Sequence, residues 1–187
     1  MEKYLQGLVE KALSYGAYKA SVVKTKDIRT DVRFRAMCES NACGQYGKCW
    51  TCPPDAGKIE DLIAKLYTYE YALVYQTVTQ IEDSFDVEGM MEAGKLHNAL
   101  VKRIQTAFAD EPFSKLLHLG AGGCRICERC AKRDNQPCRF PERALSSLET
   151  YGINVSELAQ LSGMKYINGA NTVTYFGAAF FSFEDGV

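Results

Sequence analysis

The chain alternates between two hydrophobic periods. Residues 2–15 put Leu5, Leu8, Val9, Ala12 and Leu13 at i, i+3, i+4, i+7 and i+8, one face of an amphipathic helix, with Gly16 as its stop. Residues 20–24 (ASVVK) predict a short strand, and residues 28–34 (IRTDVRF) alternate like a second strand or a strand-like entry to the first cysteine-bearing stretch. A helix is expected over 58–68, where Ile59, Leu62, Ile63 and Leu66 share a face. Residues 71–78 (YALVYQTV) are rich in strand formers and predict an internal strand. A long helical pattern covers 84–110, with Met90, Met91, Leu96, Leu100, Ile104 and Phe108 spaced for a buried side and Pro112 beyond its end. A short strand over 114–119 comes next, then helices over 141–151, with proline in the first turn, and 155–161, capped by Asn154 or Ser156. Residues 172–183 (TVTYFGAAFFSF) read as a closing core strand with a bend at Gly177.

Helices and strands in this order predict an α/β fold, with α+β as the neighbouring class: a small sandwich on a sheet of about four or five strands. The 187 residues suit a single domain, 1–187. Two stretches, 38–57 and 121–141, lack either period and read as inserted loops. A loop as long as 38–57 within a compact domain needs a reason, and a bound metal centre would supply one.

Composition changes the picture at one residue type. There are 8 cysteines, and they fall in two groups of four, Cys38–Cys52 and Cys124–Cys138. The net charge of -1 argues against a nucleic-acid binder. No apolar run is long enough to span a bilayer, and the first helix mixes acids and bases through its apolar residues, unlike a signal peptide. The expected compartment is the cytoplasm, where clustered cysteines bind metal or do redox chemistry more readily than they build a disulfide framework.

The second group, CRICERCAKRDNQPCRFP, holds Cys124, Cys127, Cys130 and Cys138. A CxxCxxC turn can direct three thiolates at one small object, as in bacterial ferredoxins, where a later cysteine sits beside a proline. Here Pro137 precedes the later cysteine. The first expectation is an iron–sulfur cluster, most readily [4Fe–4S]; zinc, which also takes four thiolates, is the alternative. Gly122 and Gly123 offer bare backbone beside the run. Arg125 and Arg139, among other basic residues, could offset the charge of an anionic cluster.

The first group, Cys38, Cys43, Cys49 and Cys52, has the less distinctive spacing C-x4-C-x5-C-x2-C. It reads as a second metal centre, or as a CxxC redox pair at Cys49 and Cys52, although Pro53 and Pro54 obstruct the helix that a thioredoxin-like motif opens. Cys49 is the least certain ligand. Without it, Cys38, Cys43 and Cys52 would leave a cluster with one open iron able to bind substrate. The glycines at 120–123 form no phosphate-loop motif, and no nucleophilic triad is legible. His97 and His118 read as packed core residues, with His118 also a candidate beside the cluster.

The segments CGQYGKCWTCPP and AGGCRICERCAKRDNQPCRFPERALSSLETYGINV resemble the DUF2284 family of predicted metal-binding proteins. The resemblance runs from Cys38 to Val155. It implies metal binding through Cys38, Cys43, Cys52, Cys124, Cys127, Cys130 and Cys138, only weakly through Cys49, and it implies no reaction. Three functions remain open: a carrier with two [4Fe–4S] clusters that exchanges electrons with a redox partner protein, a module stapled by zinc, and an enzyme with an open-site cluster at the first group.

Overall fold

The computed structural model describes residues 1–184. Five helices, α1 (Glu2–Ser14), α2 (Phe34–Glu39), α3 (Ile59–Leu66), α4 (Val87–Phe108) and α5 (Val155–Leu161), surround five strands, β1 (Lys19–Lys24), β2 (Tyr71–Gln80), β3 (Lys115–Gly120), β4 (Ser146–Ser147) and β5 (Thr172–Ser182). The strands form one sheet in the order β1-β2-β5-β3-β4. Every pairing is antiparallel except β3 with β4.

The apolar run of β2 is explained by cover on both faces. Leu73 and Tyr75 point to one side and pack with Ala179 and Phe181 of β5 beneath α1 and α4. Ala72 and Val74 point to the other and pack with Ala178 and Phe180 beneath α3 and α5. The fold is therefore a small α/β sandwich, and both apolar clusters lie on its central strands.

Four local expectations need correction. The alternating stretch 28–34 makes only a single bridge, Thr30 to Ile153, and Phe34 already opens α2. The Asp31 carboxylate accepts from the Arg33 amide at 2.8 Å, which turns the chain out of a strand. The first cysteine loop is mostly turns, but its leading residue, Cys38, belongs to α2. The helix expected over 141–151 is replaced by a turn, by β4 and by a short 3-10 helix, Glu149–Tyr151. Pairing of Ser146 with Leu119 and of Ser147 with Gly120 takes the backbone that a helix would use, and Ser147 Oγ accepts from the Thr150 amide at 3.2 Å. In α4, Met91 and Leu96 are exposed, whereas Ala93 and His97 are buried. The buried line of α4 runs through Ala93, His97, Leu100, Val101, Ile104 and Phe108, and Met91 and Leu96 fall off it.

Candidate metal centre

Both cysteine loops lie outside the two apolar clusters. The second leaves β3 through the glycines at 120–123, with Gly122 at φ 68°, a left-handed conformation that a side chain would strain. It then wraps Cys124, Cys127, Cys130 and Cys138 around a common cavity. The first loop folds back on itself, with the Gly47 amide donating to the Pro53 carbonyl at 2.9 Å. All eight cysteines are free thiols.

The two loops are stitched together. The Trp50 indole N–H donates to the Gln136 carbonyl at 2.9 Å, and Ser146 Oγ donates to the Thr51 carbonyl at 3.0 Å. The Lys132 ammonium pairs with Asp55 and stands 4.3 Å from the centre of the Trp50 ring. Gly123 sits against Cys52: a Cβ there would be 3.4 Å from the Cys52 sulfur. The Lys132–Asp55 pair is mostly shielded, with side chains 18% and 16% exposed. Removing the cation leaves a shielded carboxylate unpaired. Lys132→Ala should therefore cost about 2 kcal/mol, seen as a lowered urea midpoint.

Five thiols share the inner cavity: Cys49 joins Cys124, Cys127, Cys130 and Cys138. Cys124, Cys127 and Cys130 also line an adjoining outer cavity of about 240 Å³, together with Gln45, Arg125 and Arg133. Cys49, the candidate ligand that spacing ranks lowest, is thus at the centre of the contact between the loops. Its sulfur accepts hydrogen bonds from the Cys124 and Cys52 thiols and lies 3.3 Å from Thr51 Oγ1. Those bonds hold its pKa far below the usual thiol range. The same bonds, with burial, push Cys52 and Cys124 up. Burial raises Cys38 as well. Cys38 and Cys43 lie close enough to Cys52 to raise its pKa through their charge. The thiols line walls: among the described residues no three His, Cys, Asp or Glu side chains gather closely enough to hold a single ion.

The flanking residues divide. Gly123 is in the contact between the loops, and Gly122 makes the turn into it. Arg139 lines the inner cavity and donates to the Arg129 carbonyl at 3.1 Å. Arg125 is exposed and borders the outer cavity. His118 is elsewhere: it is buried with its ring 6.2 Å from that of Phe108, and it lines neither thiol cavity. His97 is likewise a core residue, with Nδ1 3.0 Å from Thr77 Oγ1. Trp50, whose indole fixes the first loop to the second, has no signal in the cysteine spacing; being the only tryptophan, in a CxxC, it was the available hint.

Residues 21–181, most of the chain, match a family model described as a predicted metal-binding protein, DUF2284. The chain belongs to the DUF2284 family. The family description fits a thiol-lined site and specifies neither the metal nor a reaction. Neither a curated protein nor a solved structure matches the chain. Among the described residues, no helix is long and apolar enough to cross a membrane.

Proposed function

We propose that this DUF2284 protein is a cytoplasmic iron–sulfur electron carrier that holds two [4Fe–4S] clusters on its two cysteine loops. The observation that carries the reading is the wall of five thiols drawn from both loops around one cavity. A cluster brings its own irons and sulfides and needs thiolates spread around it, whereas zinc draws four sulfurs to about 2.3 Å from one point. The donor set and the bare backbone at Gly122 and Gly123 suit the cluster. Eight free thiols suit a reducing compartment.

When bound, the clusters supply one-electron chemistry. The chain's own residues set its conditions. The cysteines provide the thiolates, and the bonds that Cys49 accepts favour its thiolate form. Arg125, Arg133 and Arg139 place positive charge beside the cavities, which favours an anionic group and raises its reduction potential. The same exposed arginines would meet an acidic surface on a redox partner protein.

Protein purified without oxygen should be brown and bleach reversibly on reduction, with iron and acid-labile sulfide each at about four to eight per chain. Colourless protein with stoichiometric zinc would instead establish the zinc-stapled module. A second reading, an enzyme with an open iron, draws on the position of Cys49 in the second loop's cavity, which leaves Cys38, Cys43 and Cys52 as a set of three.

A further inference from the structure

The loops cross. Cys49 belongs by sequence to the first group, yet the two residues after it are tied across the molecule, Trp50 to Gln136 of the second loop and Thr51 to Ser146 of β4, the strand that follows that loop. Cys49, Trp50 and Thr51 all line the second group's cavity, and Cys38, Cys43 and Cys52 do not. Cys124 belongs by sequence to the second group, but its neighbour Gly123 lies against Cys52 and Gln45 of the first loop. Gln45, Gly123 and Cys124 also line the outer cavity together. Each of these two cysteines is therefore at the border of the other group.

The count agrees. Five thiols face the inner cavity and three do not, while each cubane takes four thiolates. One of the five must serve the other set. Of the five, Cys49 meets Cys52 directly and Cys124 follows the glycine that abuts Cys52, which makes these two the candidates. Cys49 is fixed in the second loop's wall by the two hydrogen bonds beside it, and Cys124 comes directly after the glycine that abuts Cys52.

We infer that the two loops exchange one ligand: Cys49 completes the second centre with Cys127, Cys130 and Cys138, and Cys124 completes the first with Cys38, Cys43 and Cys52. The inference rests on the two-cluster reading above. It makes the loops mutually dependent, because neither centre is complete within its own segment. It also closes the site that the open-iron reading requires.

Pairs of Cys→Ser changes in the whole chain, purified without oxygen, test the grouping through iron and sulfide per chain and the electron paramagnetic resonance of the reduced protein. Cys49→Ser with Cys127→Ser should remove one centre and keep half the wild-type iron. Cys49→Ser with Cys43→Ser should remove nearly all of it. The reverse pattern, half retained in the second pair and nearly none in the first, would overturn the exchange. Cys124→Ser grouping with Cys127→Ser, with Cys49→Ser harmless to iron content, would overturn it in favour of an open first centre. Where a double variant fails to fold by circular dichroism, the single variants decide. Cys49→Ser should erase the resonance that Cys127→Ser erases; erasing the one that Cys43→Ser erases would count against the exchange. Wild-type chain without iron would overturn the carrier reading itself, before any variant is made.

Discussion

Lowering the pH from 7 to 4 is expected to destabilise the fold steeply, because two histidines are buried in neutral form. His97 on α4 is packed between Tyr75 and Tyr175, and its Nε2 has no hydrogen-bond partner. His118 on β3 has no partner on either nitrogen. Burial pushes both pKa values down from 6.5 to about 4. The unfolded chain therefore takes up these two protons first. Their contribution to stability is fully present above the ordinary value of 6.5, falls as the pH drops below it, and is gone at about 4. Each is worth about 3 kcal/mol, and together they rival the total stability of many domains. Urea midpoints measured across this range should fall on acidification, and His118→Leu should remove about half of the slope. A midpoint unchanged between pH 7 and pH 4.5 would contradict the account.

Gly177→Ala is expected to cost roughly 3 kcal/mol or more. A Cβ at Gly177 would lie 2.6 Å from two ring carbons and the hydroxyl oxygen of Tyr75. The two residues face each other across the central pair, β2 and β5. Tyr75 is fully buried, so its ring has nowhere to go, and both strands are fixed by neighbours on either side. The glycine serves the ring rather than a bend: the strand runs unbroken through it from Thr172 to Ser182. Thermal or urea denaturation reads the loss. Adding Tyr75→Leu to Gly177→Ala should recover part of it, and strictly additive losses would show that the ring is not the obstacle.

Much of the architecture was legible because strong periods dominate it. Helices at 2–15 and 155–161 and strands at 71–78 and 172–183 correspond closely to α1, α5, β2 and β5. The failures share one cause: partners distant in the sequence. Nothing within 141–151 reveals that Ser146 and Ser147 will pair with β3, and nothing within 84–110 reveals that His97 meets Thr77 while Leu96 meets water. The candidate site shows the same division. Spacing picked out the cysteines as a metal-ligating set and ranked Cys49 last, because linear spacing says nothing about two loops meeting. The contact that changes its rank depends on Trp50, Gln136, Thr51 and Ser146, four residues with no periodicity to announce them.

Neither apolar cluster contains a cysteine. The order of biogenesis is a consequence. The sheet and its helices can complete their burial during synthesis without waiting for a metal, and the cysteine loops then remain to be filled. A shortage of the metal would on this basis leave folded, fillable protein rather than unfolded chain for proteases.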